Sequence, residues 1–173
     1  MDRRHLVLSL AMAGIAGPAL AQTATTMPAG QMGKAEMEHS RRTAMAGMAS
    51  LQMADIGLSK ASDDDVKEFA KFEHDEQTTI AEILKSMDPS LASAKPDDKA
   101  MAMIAKLKEA KSGKAFDRDF VMGQIDGHKM LLDIQEDYLK VGKDMHHVAI
   151  TKLARGMIKE HLAILDDLRK AMG

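Results

Sequence analysis

The strongest constraint on this chain is where its helical periodicity stops. From about residue 34 to residue 171 it is written mainly in leucine, alanine, lysine, glutamate and methionine, which lose little on entering a helix. Two interruptions are short, Ser62-Asp63-Asp64-Asp65 and Gly142-Lys143-Asp144. The third, residues 88–115, is long and carries Pro89, Pro96 and Gly113 around a predicted short helix over 97–110. A turn of a few residues forces its two helices to pack antiparallel. The long segment has enough chain to travel the ~38 Å of a helix of about 25 residues and to start the next helix parallel to the last. Hairpin, long crossover, hairpin is the order of a ferritin-like four-helix bundle, whereas up-down-up-down bundles use short loops throughout. The expected fold is therefore all-α, with the short helix carried on the crossover between the second and third long helices.

Spacing of apolar residues sets the expected faces. The first helix, 34–61, presents Met37, Ala44, Met48, Leu51 and Leu58; the second, 63–87, presents Val66, Phe69, Ala70, Ile80 and Leu84. Ser62 is the expected cap of the second helix, with acidic residues where the helix dipole favours them. The third helix, 116–142, gathers Phe120, Leu131, Leu132, Tyr138 and Leu139, with Gly142 as a left-handed terminator. The fourth, capped by Asp144 and running to 171, presents Ile150, Leu153, Met157, Ile164 and Leu168.

These faces are not uniformly apolar. Gln124, His128 and Gln135 run down the middle of the third; Glu73 and Gln77 fall in the middle of the second, with Glu76 at its edge. Gln52 and Asp55 share the expected face of the first helix, and His146 and His161 that of the fourth, with Glu160 at the margin. An unpaired buried polar group costs about 1–3 kcal/mol, so such groups must satisfy one another, meet water or bind an ion. In di-iron bundles the ligands include Glu-x-x-His on two helices. That motif does not occur here: Glu73-His74 and Glu160-His161 are adjacent pairs, and Ile125 stands three residues before His128. The expectation is a buried hydrogen-bond network that fixes helix register, with no cofactor required. The alternative is a non-standard iron or copper site drawn from Glu73, Glu76, His128 and His161. His39, His74 and His147 read as surface or boundary histidines.

Sixteen methionines against 3% aromatic residues raise a second metal question, because Met45–Met48 is an MxxM and Met101–Met103 an MxM. Thioethers suit Cu(I). Yet Met37, Met48 and Met157 stand at expected core positions, where methionine fills irregular gaps in place of aromatics.

The remaining features bound location and chemistry. Arg3-Arg4, the apolar run 6–17 and Ala19-Leu20-Ala21 form the succession of a secretory signal with cleavage after Ala21, and the arginine pair also loosely fits a twin-arginine leader. Residues 22–33 read as a flexible tether and 34–173 as the domain, which points to a periplasmic protein with no membrane insertion after cleavage. A formal net charge of −2 argues against nucleic acid as a partner. There is no cysteine, glycine-rich phosphate loop or nucleophile elbow, so a non-catalytic protein is expected, with an envelope stress or interaction role as a further alternative. No feature identifies a protein partner or fixes the oligomeric state.

The stretches VKEFAKFEHDEQTTIAEILKSM (66–87), FDRDFVMGQIDGHKMLLDIQEDYL (116–139) and IKEHLAILDDL (158–168) resemble the bacterial family called domain of unknown function 4142. The resemblance implies an exported helical protein grouped with ferritin-like bundles. Many members of that family carry Asp-His where this chain has Glu76-Gln77, while His128 and His161 stand where the family has histidines. The resemblance carries fold and export; it implies no activity.

Overall fold

The computed structural model describes residues 32–173; the expected signal segment and residues 22–31 of the tether lie outside the described residues. Five α-helices follow in order: α1 (Lys34–Lys60), α2 (Asp64–Met87), α3 (Asp98–Glu109), α4 (Lys114–Val141) and α5 (Met145–Ala171), with a short 3-10 turn at Pro89–Ser93. Among the described residues there is no strand. The predicted bounds agree with these within two residues.

The turns are held by side chains that satisfy helix-end N–H groups. Asp63 caps α2 by accepting from the N–H groups of Asp65 and Val66, Asp97 caps α3, and Asp144 caps α5 as expected. Ser62 is not the cap of α2. Its N–H and hydroxyl instead donate to the buried carboxylate of Asp117, tying the first hairpin to the start of α4. Lys60 closes the other end of α3 by donating to the carbonyls of Leu107, Lys108 and Ala110. Gly142 also differs from expectation: its φ of −62° is not left-handed. A Cβ there would run into the Tyr138 ring, so close approach rather than turn geometry explains this glycine. Among the described residues positive φ occurs at Gly113, at 135° just before α4, and at Gly173, at 85°.

Cross-helix pairs establish the directions. His39 meets Gln135, Ser50 meets Gln124 and Gly57 faces Phe120, so α1 and α4 run antiparallel. With α2 antiparallel to α1, the crossover delivers α4 parallel to α2, and α5 returns alongside α4. The helical bundle thus runs up, down, down, up. α3 lies against α1 and α4.

The interior is layered along α4. Phe116, Phe120, Val121 and Ile125 pack with Met53, Val66, Phe69, Leu107 and Leu165 in one apolar layer. Leu131 and Ile134 pack with Ala46 and Ile158 in another. Between the two, and again beyond the second, polar side chains from several helices are buried.

Two expected faces are rotated. In α1 the inward strip is Glu36, Ser40, Thr43, Gly47, Ser50, Ala54 and Gly57, while Met37 is exposed, Gln52 half-buried and Asp55 exposed. In α5 it is His147, Thr151, Ala154, Ile158, His161 and Leu165, leaving Leu153, Met157, Ile164 and His146 exposed. His39 and His147, expected at the boundary, are 7% and 3% exposed. The reason is common to both helices: the inward strips carry small and polar residues that pair across the bundle, so the most apolar stripe is not the innermost one.

Small residues on α1 permit close packing. A Cβ at Gly57 would lie 2.6 Å from one Phe120 ring carbon and 3.0 Å from the Ala70 Cβ. Gly57→Ala is therefore expected to destabilise by about 1–3 kcal/mol through overpacking, outweighing the helix-propensity gain of about 1 kcal/mol. Urea unfolding measures it; an unchanged or raised midpoint would show that Phe120 moves aside freely.

Candidate metal centre

Glu73 enters the space between the apolar layers from α2, His128 from α4 and His161 from α5. Their spacing places them there. Glu73 follows Val66, Phe69 and Ala70 on one α2 face, His128 follows Gln124 by one turn, and His161 sits between Ile158 and Leu165. Glu73 and His128 are fully buried and His161 is 8% exposed. Phe69 covers both rings, with centroids 6.0 Å from His128 and 5.3 Å from His161.

Three atoms converge. Glu73 Oε2 lies 2.9 Å from His161 Nδ1 and 3.1 Å from His128 Nε2, and the two nitrogens are 3.3 Å apart. The atoms behind them are also engaged. His128 Nδ1–H donates to the Gln124 backbone carbonyl at 2.8 Å, which leaves a lone pair on Nε2 of the neutral ring. His161 Nε2 is 3.4 Å from Glu76 Oε2, so a proton there faces a carboxylate and Nδ1 carries the lone pair. The Ser50 hydroxyl lies 2.5 Å from Glu73 Oε1 and 2.6 Å from the Gln124 side-chain oxygen, and its one proton goes to the carboxylate, the stronger acceptor.

The electrostatics follow from that packing. When protons rather than an ion lie between the donor atoms, burial acts to raise the Glu73 carboxyl, but the charge of a protonated His128 and hydrogen bonds from His128, His161 and Ser50 outweigh it and hold it well below the ordinary carboxylate range. Burial opposes charge on His161, yet its bond to Glu73 and the nearby Glu76 and Glu73 charges raise it above an ordinary imidazole. Glu76 is raised, chiefly by burial. The site thus concentrates carboxylate charge and imidazole nitrogens in a dry space. The donor set, two imidazole nitrogens and one carboxylate oxygen, suits zinc, iron, copper or nickel.

Of the four residues read from the sequence, Glu73, His128 and His161 converge; Glu76 does not join them and stands behind His161. Gln77 packs at Gly47, and Gln135 belongs to a different layer. Sequence reasoning missed Ser50. Its signal was the small-residue strip Gly47–Ser50–Ala54–Gly57, which marks the true inward face of α1 by spacing rather than by hydropathy.

A second polar layer lies toward the end of the bundle. His39 Nε2–H donates to Gln135 Oε1 at 2.9 Å, and His39 Nδ1 is 2.7 Å from His147 Nε2. Since His39 already donates through Nε2, its Nδ1 accepts from His147, and His147 Nδ1 is left buried with no partner among the described residues. Tyr138 stacks on His39 and donates to Glu36. With one ring nitrogen unsupported, this pair lacks the backing that both histidines of the first layer possess.

A model of the family described as Domain of unknown function (DUF4142) matches residues 21–171. The chain belongs to the DUF4142 family. Neither a curated protein nor a solved structure matches it. Within this DUF4142 chain, the matched region contains all the residues of both polar layers.

Proposed function

We propose that this protein is an exported, non-catalytic metal-binding bundle that holds one first-row transition-metal ion on Glu73, His128 and His161. The observation that carries the reading is the backing of the three donor atoms. Metal-ligating histidines almost always donate their far N–H to a carbonyl or carboxylate; here His128 donates to the Gln124 carbonyl, and the far nitrogen of His161 lies 3.4 Å from the Glu76 carboxylate, an ion-pair contact. The spacing agrees as well. Donor atoms 2.9–3.3 Å apart subtend roughly 90–105° at an ion about 2.1 Å from each, between octahedral and tetrahedral values. Without an ion or a bridging proton, three lone pairs would face one another in a dry cavity. The residues would supply neutral imidazoles, one negative charge and exclusion of water; the ion, when bound, would supply Lewis acidity.

Export to the periplasm is supported by the succession of charged, apolar and small residues in 1–21. The up-down-down-up order and the single long crossover support a place among ferritin-like bundles. Both extend the reading of an exported protein of unknown molecular function.

Elemental analysis of protein isolated from the periplasm without a histidine tag tests the reading. About one equivalent of iron, copper or zinc is expected, falling at least tenfold in His128→Ala and in His161→Ala and retained in Gln135→Leu. Less than a tenth of an equivalent, with no uptake when Zn(II), Co(II) or Cu(II) is titrated in, would leave the layer as a register-fixing hydrogen-bond network alone.

A further inference from the structure

A cavity of about 470 Å³ opens between α1, α3 and α4, separate from both polar layers. Its walls are apolar and rich in thioethers: Met45 and Met53 from α1, Met103 from α3, Met130 and Ile134 from α4, with Ala49 behind them. The volume falls within the usual range for small-molecule sites, about 300–1,000 Å³. Unbranched methionines make walls that adapt to flexible apolar ligands.

Two glycines of α4 line this space, and they differ in what they explain. A Cβ on Gly123 would press on Met103 and Met53 at 3.2 and 3.3 Å, so packing against α3 and α1 accounts for it. A Cβ on Gly127 would meet only the Met53 methyl, at 3.8 Å, an ordinary contact. Glycine inside a helix costs about 0.5–1 kcal/mol relative to alanine, and at 127 no neighbour demands it. What glycine does there is keep the cavity open.

The mouth is charged. Arg41, Arg42, Lys99 and Lys106 line it against two acids, Asp97 and Asp126. Each of these cations has a carboxylate partner, but the pairs are solvent-exposed: Arg41–Glu38, Arg42–Asp137, Lys99–Asp126 and Lys106–Asp119. Such pairs are worth little and exchange partners easily. Arg41 also lies at the wall itself, with Nη1 3.1 Å from Met45 Sδ.

The geometry points to a binding site for an amphiphile with an unbranched apolar body and one anionic head, its body among the methionines and its head at Arg41 and Lys99. Dodecanoate, below the concentration at which it aggregates, is the probe; dodecanol and dodecyltrimethylammonium are its neutral and cationic counterparts. With methionine methyl groups labelled for NMR, dodecanoate is expected to bind one to one and to shift chiefly Met45, Met53, Met103 and Met130. Gly127→Leu, which fills the cavity while improving helix propensity, should weaken binding at least tenfold, and Gly127→Ala by a smaller factor in the same direction. Arg41→Gln with Lys99→Gln should weaken dodecanoate several-fold and leave dodecanol unchanged. Shifts spread over all methionines, or full affinity in both Gly127 variants, would overturn the site. Dodecanol or the cationic probe binding as tightly as dodecanoate would overturn the anionic head.

Discussion

Glu73→Ala is expected to destabilise the metal-free protein by about 3–5 kcal/mol, the range for breaking a buried charged cluster by removing one member. Glu73 is fully buried and is the common partner of His128, His161 and Ser50. Alanine would leave two imidazoles 3.3 Å apart with nothing between them, a hydroxyl without its acceptor, and a hole between two apolar layers. Each of those losses is unfavourable, and none can be relieved by solvent because Phe69 and the rings themselves fill the surroundings. Glu73→Gln keeps the volume and one carbonyl oxygen, so it should cost markedly less while still abolishing tight metal binding. Urea unfolding in the presence of a chelator provides the measurement. A loss under about 1 kcal/mol for Glu73→Ala would show that water reaches the site and replaces the carboxylate. A further comparison separates function from stability: converting Glu73, His128 and His161 together to apolar residues of similar volume is expected to be near neutral or stabilising. That outcome would mean the cluster is retained for what it binds.

The sequence made the fold legible because its punctuation is strong. Asp63 and Asp144 cap helices where acidic residues follow short turns, and Pro89 and Pro96 break the chain where the crossover begins. Glu73, His128 and Gln124 were also legible, since α2 and α4 carry enough large apolar residues to fix the phase of the inward face around them. The phase failed in α1 and α5. There the inward strips, Ser40–Thr43–Ser50 and His147–Thr151–His161, are small and polar, while Met37, Leu153 and Ile164 lie outside. Hydropathy assigns the most apolar stripe to the core, and the preference reverses when buried groups are chosen for hydrogen bonding and close approach. His39 and His147 went unrecognised for a related reason. They stand 108 positions apart, and each looks peripheral on its own helix until α1, α4 and α5 bring them to Gln135 and Tyr138.

That second layer carries the largest expected pH effect above the carboxylate range. Burial pulls His39 down to about 4, with Gln135 partly opposing it, and burial also lowers His147. Both are depressed in the folded state relative to about 6.5 in the unfolded chain. Between those values the unfolded state binds more protons, so the stability that these residues contribute is fully present above pH 6.5 and is lost as pH falls toward 4. For His39 alone the full shift corresponds to about 3 kcal/mol. His161 has the opposite sign. Its raised folded value contributes stability that is complete below pH 6.5 and disappears as pH rises through that value, so it adds no slope to the acid window. Glu73, depressed in the fold, costs stability only below about pH 4.5. Unfolding free energies measured with a chelator at pH 6, 5 and 4.5 should therefore decline, against the opposite contribution of Glu76, whose raised folded value adds stability as pH falls, and His39→Phe should remove more than half of that decline. The unpartnered Nδ1 of His147 is the natural landing point for the first proton, because taking one there leaves the bond to His39 intact. A parent-like slope in His39→Phe would instead assign the proton uptake to groups outside this layer.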